Sequence, residues 1–171
     1  MTTDPGFARD WGDHYRHDET FEVSGDRFDE IRATAEDGAL GGARAVVRHD
    51  GHLLLCRVKT DTDGWDSVGG SAEPVDESLE ATARREVREE VGLDVRPTAL
   101  LGVNHFTFVS ENERVAGRWP TFAATVSDGE PGEPPSLNVQ TEELHEARWF
   151  ETIPANVNRH AAPMIRAVLE K

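Results

Sequence analysis

Cysteine occurs once in this chain, as Cys56, so an internal disulfide is excluded. A lone cysteine fits a reducing compartment, and its place in the apolar run Leu53–Cys56 reads as a small buried side chain, not a nucleophile. That run is the longest uninterrupted aliphatic stretch, far too short to cross a bilayer. The opening MTTDPGFARDWGD lacks a basic region followed by an apolar one, so no secretory signal is evident and a cytoplasmic location is expected. Lysine is equally scarce: Lys59 and Lys171 are the only two among 18 basic residues, the rest being arginine. Against them stand 33 acidic residues, for a net charge of −15. Such an excess argues against a nucleic-acid polymer or an anionic membrane as partner, and a phosphate-bearing ligand would need a bound metal or local arginines. Acid excess with little lysine resembles the proteins of salt-loving archaea, whose potassium chloride screens self-repulsion, so a halophilic source is expected.

What is present reads as one main domain with an accessory segment. With 37% hydrophobic and 30% charged residues in 171, the chain can bury a sizeable core. Residues 1–41 form an N-terminal extension. In it Trp11, His14, Tyr15, His17 and Phe21 are scattered without a period, and they read as packing residues because no compact metal-ligand spacing is present. Phe28, Ile31 and Ala35 recur at helical spacing over 26–36, with Asp26 as N-cap and Gly38 as stop. A single amphipathic helix forms no domain, so it should pack on the main body or on a second subunit.

Within 42–171, the segments 43–49 and 52–59 predict a hairpin around Asp50-Gly51. A short strand is expected over 65–68, then strands over 95–109 and 121–126 joined by a polar loop from Ser110 to Arg118. A further strand over 145–150 and a closing helix over 162–169, with Pro163 in its first turn, complete the pattern. Strands and helices mixed in this order predict an α/β sandwich with a mixed β-sheet.

The stretch 69–93, GGSAEPVDESLEATARREVREEVGL, carries the chemistry. A helix starting at Asp76 or Glu77 and stopped by Gly92 places Leu79, Ala83, Val87 and Val91 on one apolar stripe. Glu86 and Glu90 project beside that stripe, where a core-facing helix would carry apolar residues, and Glu89 lies next to them. Three carboxylates on two successive turns repel one another unless a cation joins them. A plain solvated acidic face is the alternative, but these acids adjoin the buried stripe and a Gly-Gly turn precedes them.

Residues 77–93 resemble the box of the Nudix hydrolases: glycine, five residues, glutamate, seven residues, then Arg-Glu-apolar-any-Glu-Glu-any-Gly-apolar. From Glu77 through Arg85-Glu86-Val87-Arg88-Glu89-Glu90-Val91-Gly92-Leu93 every position is filled. The order around it is also similar, with an apolar strand ending in Arg57, Trp65 before Gly69-Gly70, and the late run Glu146-Ala147-Arg148-Trp149-Phe150. Two departures stand out. Six residues instead of five separate Gly70 from Glu77, and Val68 stands where many members carry proline.

The resemblance implies the Nudix fold, an α/β/α sandwich. It also implies a Mg²⁺- or Mn²⁺-dependent hydrolase cleaving a diphosphate linkage in a nucleoside diphosphate derivative, a nucleoside triphosphate or an ADP-ribose-like compound, by water attack at phosphorus. Glu86, Glu89 and Glu90 would bind metal, with Glu77 as an outer or additional partner and a backbone carbonyl from Gly69 or Gly70; Arg85 would orient the acids. The general base would be Glu86 or Glu89, or a loop acid among Glu142, Glu143, Glu111 and Glu113. Arg57 would reach substrate phosphate, unless it is only an outward strand residue, and Glu142 would also serve the substrate. Phe106, Trp119 and Phe122 are stacking candidates or core. Two other readings remain: a Nudix-fold nucleotide-sensing module without turnover, and an isoprenoid diphosphate isomerase, which would need a catalytic cysteine. A homodimer is expected by analogy.

Overall fold

The computed structural model describes residues 4–59 and 64–171. In chain order, β1 (Tyr15–Glu22) is followed by α1 (Gly25–Glu36), β2 (Gly42–His49), β3 (His52–Val58), the short β4 (Val68–Ser71) and α2 (Leu79–Val91). Then come β5 (Val95–Ser110), β6 (Glu113–Val126), β7 (Leu144–Phe150) and α3 (Ala162–Ala167), which closes in the 3-10 turn Val168–Glu170. The strands form one mixed sheet in the order β1-β5-β6-β2-β3-β7, with β4 paired to β2. β1 runs parallel to β5 and β2 parallel to β6, while the remaining pairs are antiparallel.

Strand alternation divides the core between two faces. Ala45, Val47, Leu54 and Cys56 point toward Val87 and Val91 of α2. Val46, Leu53, Leu55 and Leu101 point the other way, onto Met164, Ile165 and Val168 of the C-terminal segment. The two helices therefore cover opposite faces of the sheet, and α2 is held where its flank meets β2 and β4. None of the described helices is long and apolar enough to cross a membrane.

The hairpin around Asp50-Gly51 forms as expected, with both turn residues in the left-handed region at φ 44° and 80°. Helix α1 buries Phe28, Ile31 and Ala35 and packs on β5 and β6; its N-cap is Ser24, with Asp26 inside the first turn instead of capping it. The expected strand over 65–68 shifts: β4 begins at Val68, while Trp65 and Asp66 make single bridges to Val157 and Cys56. The polar loop expected from Ser110 to Arg118 is instead continuous ladder, with Ser110 paired to Glu113 across a two-residue turn. Its alternation is masked because these residues are half-exposed on a long hairpin, where polar side chains cost little.

Residues 4–22 join the same body. β1, expected to be irregular, pairs with β5 from Tyr15 opposite Gly102 to Glu22 opposite Val109. It is an edge strand exposed along most of its length, so it has no apolar alternation to betray it. Phe7 and Trp11 close on Phe122 with ring centroids at 6.1 and 5.5 Å, and Trp11 Nε1 donates to Glu80 Oε1 at 2.6 Å. Arg118 holds buried Asp4 through two hydrogen bonds of 2.7 and 2.8 Å.

Candidate active site

Helix α2 begins at Leu79, two or three residues later than the expected start, because Ser78 caps it by accepting from Ala81 N–H. Gly92 ends it in the left-handed region at φ 76°, as expected. Leu79, Ala83, Val87 and Val91 are fully buried, and beside them Glu86 and Glu90 are only 7% and 4% exposed. Glu90 Oε2 accepts the Gly69 N–H at 3.2 Å. Glu86 lies so close to Gly70 that a Cβ there would stand 2.5 Å from its Cδ, so the second glycine is the space the carboxylate occupies. Glu143, from the loop before β7, completes the group: oxygens of Glu86, Glu90 and Glu143 lie within 4.8 Å of one another.

Burial, with the Glu86 charge beside it, pushes the Glu90 carboxyl up to about 8. Glu86 is raised too, chiefly by burial, although Arg85 opposes the shift. Two acids that resist ionising, next to a third, form a site whose charged state a cation would stabilise.

Arg85 organises the other side. Its Nε and Nη2 bond the two oxygens of Asp76 at 3.0 and 2.9 Å, Nη2 also reaches Ser71 O at 2.8 Å, and Nη1 donates to Glu86 at 2.9 Å and Glu89 at 3.1 Å. The fork grips both oxygens of Asp76 and leaves one nitrogen for Glu86 and Glu89. Burial opposes ionisation of Asp76, yet hydrogen bonds from Arg85, the Glu73 backbone and Thr82 outweigh it and hold the carboxyl below its ordinary range. Glu77 is exposed and stands outside the three-carboxylate group, because Ser78 caps the helix and turns the preceding residue outward. Five residues separate Gly70 from Asp76, so the extra residue falls between the paired acid and the helix, not before the acid.

The remaining positions divide clearly. Glu89 is 57% exposed and paired to Arg85, outside the three-carboxylate group. Glu142 is exposed, while its neighbour Glu143 belongs to the group. Arg57 pairs with Glu146 at 3.2 Å and lies over Trp65. Glu111 sits in the β5–β6 turn, and Glu113 binds Arg32 at 2.7 Å. Cys56 is fully buried with its thiol on Ser67 O at 3.4 Å, and burial pushes the thiol well above its ordinary range, so it is no nucleophile.

A cavity of about 510 Å³ has Arg44, Phe106, Phe108 and Trp119 among its walls and none of the three acids. Phe122 belongs to the core instead. Arg44, which the sequence pattern did not single out, connects the two places. Its guanidinium lies 5.2 Å from the Trp119 ring and donates to Ser67 O at 3.1 Å, and its charge opposes the upward shift of Glu90. Its position one residue before the buried run of β2 carries no sequence signal, because only the pairing of β2 with Gly69 brings it to the site.

The family model of the NUDIX domain matches residues 40–168. Over 113 residues the chain is 34% identical to the NAD-capped RNA hydrolase NudC of Stutzerimonas stutzeri, covering 64% of this chain and 36% of that protein. It is 34% identical over 108 residues to the mitochondrial NAD(P)H pyrophosphatase NUDT13 of Homo sapiens, covering 63% of this chain and 28% of that one. The chain thus spans about a third of the length of these curated relatives. A solved Nudix hydrolase from Nitrosomonas europaea matches with a TM-score of 0.56 at 22% identity, over 78% of this chain and 72% of that one. The MutT Nudix hydrolase of Burkholderia pseudomallei matches with a TM-score of 0.53 at 20% identity, over 75% and 97%. Fold, glycine-framed carboxylates and family model agree: the chain belongs to the Nudix family.

Proposed function

We propose that this chain is a divalent-metal-dependent pyrophosphohydrolase that cleaves the diphosphate linkage of a nucleoside diphosphate derivative by water attack at phosphorus. The observation that carries the reading is the convergence of Glu86, Glu90 and Glu143 against Gly69 and Gly70, with Glu86 and Glu90 buried and the guanidinium bonded to Glu86, that of Arg85, shared with Asp76 and Glu89. All-oxygen donors of this kind suit Mg²⁺ or Mn²⁺. When bound, such an ion neutralises diphosphate charge and makes a coordinated water more acidic.

The chain's own residues supply the rest. Glu86 and Glu90 hold the ion against the glycine turn, and Arg85, fixed by Asp76, keeps the Glu86 carboxylate aimed. Glu143 is exposed within the group and takes the proton from the attacking water; Glu89, engaged by Arg85, stands further out. Arg44 faces the negative charge of the diphosphate, with Trp119, Phe106 and Phe108 offering stacking surface to a base in the cavity. The NAD-derived substrates named for the two curated relatives and the nucleoside triphosphates both contain this diphosphate unit.

The test is a panel of nucleoside triphosphates, ADP-ribose-like compounds and NAD-type dinucleotides offered with Mg²⁺ or Mn²⁺ in ¹⁸O water, with products read by mass spectrometry. One ¹⁸O in a phosphate product is expected, and Arg44→Ala should raise KM roughly tenfold or more. Saturable binding without turnover across the panel would instead make the chain a sensor.

A further inference from the structure

His17 and Glu19 stand two apart on β1, so both side chains leave the same face of the strand. His160 comes from the turn before α3 and meets them at the rim of the cavity. One ligand atom from each of the three lies within 4.8 Å of the other two, and His17 Nε2 is 3.8 Å from Glu19 Oε2. Both chain segments are anchored. β1 is paired along its whole length to β5, and the His160 N–H donates to Asn158 Oδ1 at 2.9 Å, on a turn tied to Trp65 by an Asn158 N–H bond of 2.8 Å.

His17 is half-buried in the cavity wall. Its side chain is 42% exposed and that of Glu19 is 40% exposed. No compact ligand spacing exists in the sequence because the third member lies at the opposite end of the chain. Arg159 Nε donates to His160 Nε2 at 3.3 Å, but Arg159 is itself exposed and can turn into solvent.

We propose that His17, Glu19 and His160 bind one zinc-class transition-metal ion at the mouth of the cavity, as a site separate from Glu86, Glu90 and Glu143. Two imidazole nitrogens and one carboxylate oxygen suit zinc and its transition-metal neighbours, whereas magnesium prefers all-oxygen donors. Three protein ligands leave a fourth position. All three residues line the cavity, so that position is open to water or to an oxygen or nitrogen atom of the cavity's occupant. The ion would also clasp the edge strand β1 to the C-terminal segment. This inference does not depend on the hydrolase reading.

The test uses tag-free, metal-stripped full-length protein titrated with Co²⁺, whose tetrahedral complexes absorb in the visible. One Co²⁺ per chain with tetrahedral bands is expected, bleached by Zn²⁺, together with a rise in Tm of roughly 5 °C. The bands should survive in the Glu86→Gln/Glu90→Gln double variant. His17→Ala and His160→Ala should each weaken binding at least about tenfold, because each removes one of three ligands. His160 is exposed and His17 half-buried on an edge strand, so metal-free circular dichroism of these variants should match the parent. The proposal is overturned by an absence of tetrahedral bands at stoichiometric Co²⁺, by bands that persist unchanged in His160→Ala, or by bands lost in the carboxylate double variant.

Discussion

Replacing Glu90 by glutamine should stabilise the metal-free protein at alkaline pH. The folded chain holds the Glu90 proton up to about pH 8, against an ordinary value of 4.5. Below 4.5 both folded and unfolded chains carry the proton, and the contribution to stability is fully present. As pH rises from there to about 8, the unfolded chain ionises while the folded one resists, and stability is lost. At about 1.4 kcal/mol per pH unit the full interval corresponds to roughly 5 kcal/mol. Glu86 lies beside it and is itself raised, chiefly by burial, so the share removed by a single substitution should be about 2–4 kcal/mol. Glutamine keeps the size and can still accept the Gly69 N–H, so packing changes little. Guanidinium unfolding in EDTA at fixed ionic strength is the assay. At pH 5 or below the variant and parent should be nearly equal, and at pH 8.5 the variant should be the more stable. Excess Mg²⁺ should reverse that order, because only the parent retains the full ligand set. A metal-free variant equal to or weaker than the parent at pH 8.5 would refute the claim that these carboxylates are a suppressed charge awaiting a cation.

Asp76→Asn should cost about 3 kcal/mol at neutral pH, because it leaves the Arg85 fork short of its main partner, whereas Glu77→Gln should change stability by under about 0.5 kcal/mol. The Asp76 contribution is present above its ordinary value of 3.8 and is lost as pH falls through the lower folded value, so the two variants should converge in acid unfolding curves. Gly70→Ala should lower turnover by about 10–100-fold with a modest change in Tm, since the new methyl displaces the Glu86 carboxylate against which it would lie. With a net charge of −15, the chain should gain several degrees of Tm between dilute buffer and about 2 M KCl; a flat or falling Tm would remove the salt-adapted reading.

The acidic helix and its buried stripe were legible because helical period and the left-handed glycine stop are local properties of 79–92. The same holds for the Asp50-Gly51 hairpin. The loop feeding the helix was not: whether Asp76 or Glu77 meets Arg85 depends on where Ser78 caps, and a shift of one residue exchanges a buried ion pair for an exposed carboxylate. β1 was hidden because a polar edge strand has no apolar face to alternate, and its partner lies far along the chain. Arg44 and His160 escaped for a related reason, and Glu143 stood as one of four loop acids with no local pattern to choose it. Each comes from a segment remote in sequence from its neighbours: Arg44 reaches the site through the pairing of β2 with Gly69, while Glu143 and His160 stand on turns outside the strands.

The central claim is that Glu86 and Glu90 hold the ion that drives hydrolysis and that Glu143 takes the proton from the attacking water. It is tested most directly by measuring turnover of a diphosphate substrate against Mn²⁺ concentration for the parent and for Glu90→Gln and Glu143→Gln. The account predicts saturable activation of the parent, turnover at least about 100-fold lower in both variants, and weakened Mn²⁺ dependence in Glu90→Gln. Activity within about threefold of the parent in either variant, or turnover of the parent unaffected by chelation, would contradict it.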